Sequence, residues 1–158
     1  MFCLQEFNVV RPECVNYQSI GDAWRKVNKE YSVGETNCDS SEKLFDGMSW
    51  VRLVEPAGVK LPTSPPTKSL ANQLICGTHA VAWMDGLHPA VSDGIVSRQI
   101  CFAYAGQECF GPEMFNVTVA ACSATGDEVF YVYQLKKPGG CSFAYCAEGG
   151  KKSLLAQY

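Results

Sequence analysis

The sequence predicts an α+β, β-dominated fold: a small, disulfide-stapled single domain with one short amphipathic helix. Three observations carry that expectation. The chain has 158 residues, 47% hydrophobic and 18% charged, which suits one packed core at the usual ~100–200 residues per domain. Several runs concentrate or alternate β-branched and aromatic residues in the way that strands do. Nine cysteines spread from Cys3 to Cys146 without one C-x-x-C pair. That spacing writes neither a zinc ribbon nor a thioredoxin-type site, and it reads as a disulfide framework with one cysteine left over.

Taken in order, residues 1–13 read as an N-terminal edge strand or tail. Ser19 and Asp22 offer a capping-box variant, and Ile20, Trp24, Val27 and Tyr31 follow at helical spacing. This gives the one amphipathic helix, with Arg25, Lys26, Asn28 and Lys29 on its solvent side. A polar loop through Gly34 and Cys38-Asp39 leads to a strand over 48–54 (MSWVRLV). Residues 55–72 hold four prolines and little apolar mass, an exposed loop. Strand-like runs within 73–104 flank a turn-rich connector, DGLHPAVSDG. Two more strands, 114–121 and 128–135, precede a Pro-Gly-Gly turn and the last two cysteines.

Composition excludes several functions. A net charge of −3 argues against a nucleic-acid module, which would carry a basic face. The apolar runs fall far short of the ~20 residues that span a bilayer, so direct membrane insertion is not expected. Cysteine usage points to an oxidising compartment, although MFCLQEFNVV has no basic n-region of a signal peptide. The expectation is a piece of a larger secreted or cell-surface protein.

Asn116-Val117-Thr118 is an N-glycosylation sequon. Phe115, Val117 and Val119 alternate with Asn116 and Thr118, and period-two geometry sends the apolar set to the core and Asn116 to solvent. A cysteine hydrolase would need Cys76 as thiolate beside His79, oriented by Asp85 or Asp93. Cys76-x-x-His79 is also half a zinc spacing without its second half. His88 before Pro89 reads as a turn residue, and Asp85, Asp93 and Asp127 lack calcium-loop spacing. No metal or cofactor is expected. Trp24, Trp50 and Trp83 could stack on sugars, but each lies in an apolar-patterned segment and reads as core.

The ordered pattern Cys14-x-x-Tyr17, Trp24-Arg25, Cys38-Asp39, Trp50-Val-Arg52, Cys76-Gly-Thr78, Trp83-Met-Asp-Gly86, His88-Pro89, Asp93-Gly-Ile-Val-Ser-Arg98, Cys101, Cys109, Cys122, Phe130-Tyr-Val-Tyr-Gln-Leu135, Cys141 and Tyr145-Cys146 resembles the uromodulin-type cysteine-rich domain, which the pancreatic secretory-granule glycoprotein shares. The resemblance covers 14–146 and leaves 147–158 as a C-terminal tail. Spacing alone does not choose among the pairings of eight cysteines. The resemblance implies Cys14–Cys122, Cys38–Cys141, Cys76–Cys146 and Cys101–Cys109. Two further cysteines of the uromodulin form, near Pro66 and at Glu108, are both absent, as expected of one missing bridge. Cys3 stays outside the scheme, a free thiol or one that pairs elsewhere.

For function, the resemblance implies a non-enzymatic extracellular recognition or adhesion module. It sits within a mosaic protein beside growth-factor-like or zona-pellucida neighbours. Its high-mannose glycan would be captured by lectins or bacterial pilus adhesins, a role in innate defence. The family's glycan positions fall on Gln134-Leu-Lys136 and Asp85-Gly-Leu87, neither a sequon here, which leaves Asn116 as the acceptor. The alternatives are a carbohydrate-binding lectin domain and, weaker, the Cys76 hydrolase.

Overall fold

Among the described residues, seven strands take up most of the apolar runs, and their hydrogen bonding joins them into one curled sheet. The computed structural model describes residues 10–29, 34, 37–67 and 74–150. The strands are β1 (Gln18–Ile20), β2 (Val51–Leu53), β3 (Ala80–Asp85), β4 (Val96–Ala103), β5 (Phe115–Ser123), β6 (Val129–Gln134) and β7 (Phe143–Ala144). Their order across the sheet is β1-β2-β6-β5-β4-β3-β7. The four central pairings are antiparallel, and the edge strands β1 and β7 run parallel to β2 and β3.

Period-two alternation sends successive residues of the longer strands to opposite faces of the sheet. Ala80, Ala82 and Met84 of β3, Ile100 and Phe102 of β4, Val117 and Val119 of β5, and Tyr133 of β6 enter the main core with Val51 and Leu53. The intervening residues enter three smaller clusters behind the sheet. Val81 meets Ile75, Cys76 and Cys146; Trp83 meets Cys101, Ala103 and Cys109; Ala120 and Val132 meet Cys122, Cys14, Tyr17, Trp50 and Phe130. Both faces are covered over runs such as 80–84 and 119–122, which is why these runs are continuously apolar.

Each small cluster contains one disulfide. Cys76–Cys146, Cys101–Cys109 and Cys14–Cys122 lie in the three clusters in turn. The sulfurs thus close over patches too thin to form a core of their own. Cys38–Cys141 lies apart from them and ties the segment before Asp39 to the approach to β7. There the Asp39 N–H donates to Phe143 O at 3.4 Å and Ser142 N–H contacts Cys38 Sγ at 3.1 Å. Cys3 lies outside the described residues.

The predicted amphipathic helix is not formed, and among the described residues no helix reaches seven residues. Ser19 and Ile20 belong to β1, in register with Arg52 and Leu53. A single 3-10 turn, Ala23–Arg25, follows. Val27 N–H then donates to Ala147 O at 3.0 Å, and Ala147 N–H donates to Arg25 O at 2.7 Å. Backbone groups that would close helical turns are spent on the sheet and on this crossing, so tertiary hydrogen bonding overrides the 3.6-residue pattern. Tyr31 lies outside the described residues.

The proline-rich loop also differs from its expected exposure. Ala57 and Leu61 are fully buried, Pro62 O accepts from Met84 N–H at 2.8 Å, and Lys60 bridges to Glu148. Within its described part, Leu61 joins the main core while Glu55, Pro56, Val59, Ser64 and Thr67 stay exposed.

Candidate functional site

Asn116 is exposed on β5, opposite Gln99 of β4, while Val117 and Val119 on either side of Thr118 are buried. On the other flank, Thr118 is in register with Gln134 of β6. The Thr118 hydroxyl donates to Gln134 Oε1, and Gln134 Nε2 donates to Met48 O at 2.6 Å. Asn116, Thr118, Gln134, Lys136, Ser97 and Gly47 border one surface depression of about 250 Å³.

A tight turn forms one wall of that depression. Asp46 Oδ1 accepts from the N–H groups of Met48 and Ser49 at 2.8 and 2.6 Å, and Oδ2 accepts the Ser49 hydroxyl at 2.8 Å. These donors favour the ionised carboxylate, chiefly the Ser49 N–H, and hold its pKa below the ordinary value. Gly47 has φ +76°, and a Cβ there would meet Lys136 Cγ at 3.2 Å. The stem of Lys136 can lie across the turn because that position lacks a side chain.

A buried ion pair that no local pattern announces joins the turn after β1, the segment at Asp39 and the segment after β7. Arg25, expected on a solvent face, is instead buried beside Asp39. Nη1 and Nη2 donate to Asp39 Oδ2 and Oδ1 at 2.9 and 2.6 Å, Nη1 to Tyr145 O at 2.8 Å, and Nε to Asp22 Oδ2 at 3.0 Å. Asp39 Oδ2 also accepts Tyr145 N–H at 2.7 Å, and the guanidinium carbon lies 4.2 Å from the Trp24 ring centroid. Burial opposes the charge, but the Asp39 and Asp22 carboxylates outweigh it and hold the Arg25 pKa above its ordinary value. The residues stand in the sequence as Trp24-Arg25 and Cys38-Asp39, but no local spacing links positions so far apart.

The candidate catalytic groups are not assembled as a nucleophilic site. Cys76 is fully buried and bonded to Cys146, whereas His79, Asp85 and Asp93 are exposed. The thiolate that attack or zinc ligation requires is tied up in that bridge. Among the tryptophans, Trp83 is buried and its Nε1 donates to Glu108 O at 2.6 Å. Trp24 and Trp50 are only half-buried. Trp50 borders a shallow surface of about 450 Å³ with Val15, Tyr17, Gln18 and Met48.

Residues 51–147 match the model of the uromodulin-like cysteine-rich domain family. The pancreatic secretory granule membrane major glycoprotein GP2 of Rattus norvegicus is 33% identical over 135 residues, 85% of this chain and 23% of that protein. Uromodulin of Mus musculus is 31% identical over 140 residues, 89% of this chain and 19% of that protein. GP2 of Homo sapiens is 30% identical over 141 residues, 89% of this chain and 23% of that protein. The chain thus spans about a fifth of the length of these relatives.

Proposed function

The chain belongs to the uromodulin-like domain family, an extracellular glycoprotein module, and we propose that it acts without catalysis by presenting an N-glycan from Asn116 to lectins or microbial adhesins. The observation that supports this reading is the common depression bordered by Asn116 and Gln134. The resemblance assigns the family's glycan to the Gln134 position. An acceptor at Asn116 lies on the neighbouring strand of the same face, so a glycan there would leave the module from the same patch of surface. The acceptor moves across one strand pairing, and the direction of presentation is kept.

The test is capture. The chain secreted from a eukaryotic host with high-mannose glycans is expected to be retained on an immobilised mannose-binding pilus adhesin. Asn116→Gln and the enzymatically deglycosylated protein are expected to flow through, with melting temperatures close to the parent. Equal retention of all three proteins would remove Asn116 from the function.

A second reading, a lectin domain, is favoured by the half-buried Trp50 beside Tyr17, Asn16, Gln18 and Ser49, a ring flanked by polar groups suited to a sugar. It predicts sugar-dependent quenching of tryptophan fluorescence that Trp50→Phe abolishes. Unchanged fluorescence across a panel of mono- and oligosaccharides counts against it.

A further inference from the structure

His88 lies in the connector between β3 and β4, yet it is engaged by residues far away in the chain. Its Nε2 is 2.8 Å from Tyr133 Oη on β6, and its ring packs on Tyr131 with centroids 4.2 Å apart. Tyr133 is fully buried in the main core, and its Oη accepts the Leu61 N–H at 3.2 Å. The hydroxyl keeps one proton to donate, and His88 Nε2 at 2.8 Å is in place to accept it. The network therefore assigns His88 Nε2 as an acceptor, with the ring proton on Nδ1. One neutral imidazole thus joins three segments: the β3–β4 connector, β6 and the proline-rich loop.

The two cations around this contact, Lys60 of the proline-rich loop and Arg98 of β4, disfavour an imidazolium as like charges. Arg98 Nε also donates to Leu87 O at 2.9 Å, and its side chain packs across Gly86, where a Cβ would meet Arg98 Cδ at 3.1 Å. From β6 come the phenols Tyr131 and Tyr133, and Glu148 acts on Tyr133 from the segment after β7. Within the connector itself, Asp93 is engaged by Ala90 N–H at 2.8 Å.

We infer that His88 and Tyr133 form an acid-released clasp: protonation of His88 breaks its bond to Tyr133 and frees the connector around Leu87 and the Leu61 turn from β6. A protonated Nε2 can no longer accept, so the Tyr133 hydroxyl would be left with two donors facing it and no acceptor for its own proton. Leu87, already among the most exposed apolar residues, sits beside the clasp at 79% exposure. The direction follows from linkage. Burial, with Lys60 and Arg98, holds the clasped His88 down at about 4, against 6.5 when free. Between those values the open form binds a proton that the closed form does not, so opening grows as pH falls.

The test is amide exchange and imidazole NMR on the full oxidised chain between pH 7 and pH 3.5. The His88 ring is expected to titrate well below 6.5. The Leu61 amide protection factor, corrected for the intrinsic exchange rate, is expected to fall by about tenfold or more between pH 6.5 and pH 4. In His88→Gln, which keeps an acceptor for Tyr133 but does not titrate, Leu61 protection should vary less than about twofold over the same range. The wild-type titration stands by itself should that variant fold poorly. A His88 that titrates at its free value, or Leu61 protection that falls equally in both proteins or in neither, overturns the clasp.

Discussion

Replacing Cys38 and Cys141 together by serine is expected to cost about 4–5 kcal/mol, while the same exchange at Cys101 and Cys109 costs about 2–3 kcal/mol. The difference comes from loop length. Cys38–Cys141 spans 103 positions and Cys101–Cys109 spans 8, so the long bridge removes far more freedom from the unfolded chain. A typical domain holds about 5–15 kcal/mol in all, and losing one long bridge takes this one close to the threshold of folding. Cys38–Cys141 has a second effect that chain entropy does not include, because it anchors the segment that carries Asp39. Its loss should therefore also loosen the Arg25 pair. Urea denaturation of the two double-serine variants measures the gap. Equal losses in both would contradict the ranking and point to local packing, not loop closure, as the source of the bridges' effect.

Asp39→Ala is expected to destabilise by about 3–5 kcal/mol, because it leaves the Arg25 guanidinium buried without its bidentate partner. Tyr145 N–H loses its acceptor in the same change. Asp22→Ala removes only the half-exposed partner and should cost no more than about 1 kcal/mol. The pair is not expected to be a large net source of stability, since two charges must be desolvated to form it. Arg25→Met with Asp39→Leu should accordingly recover much of the loss of Asp39→Ala alone. Chemical denaturation of the single and double variants, treated as a cycle, separates the cost of an orphaned charge from the worth of the pair. A double variant as unstable as the sum of the singles would mean that the two residues are not coupled, and would contradict the orphaned charge as the source of the loss.

Legibility in the sequence follows the range of the interaction. Strands β4, β5 and β6 are readable because Phe115, Val117 and Val119 alternate with Asn116 and Thr118, and because Phe130-Tyr-Val-Tyr is rich in strand formers. The same local reading fails at 20–27. Ile20, Trp24 and Val27 have helical spacing because a strand, a 3-10 turn and a crossing against Ala147 happen to bury residues at those intervals. Arg25 reads as a solvent residue for the same reason. Its partner is 14 positions away and held in place by a bridge to Cys141. The proline-rich loop looks exposed because four prolines hide the apolar contribution of Leu61 and Ala57. His88 is legible as a connector residue, but its bond to Tyr133 crosses 45 positions and depends on sheet order.

The candidate site divides in the same way. Alternation alone indicates which face Asn116 takes. That it shares a depression with Gln134 depends on the register Thr118↔Gln134, which no local pattern encodes. The cysteine pairing is likewise beyond spacing and enters with the family resemblance.

The most direct test of a disulfide-framed, glycan-presenting module is the intact mass of the chain secreted from a eukaryotic host, alkylated without prior reduction. The expected mass is that of four intact bridges, alkylation at Cys3 alone, and an N-glycan that enzymatic release maps to Asn116. A mass with most thiols alkylated and Asn116 unmodified would contradict both the framework and the function proposed for it.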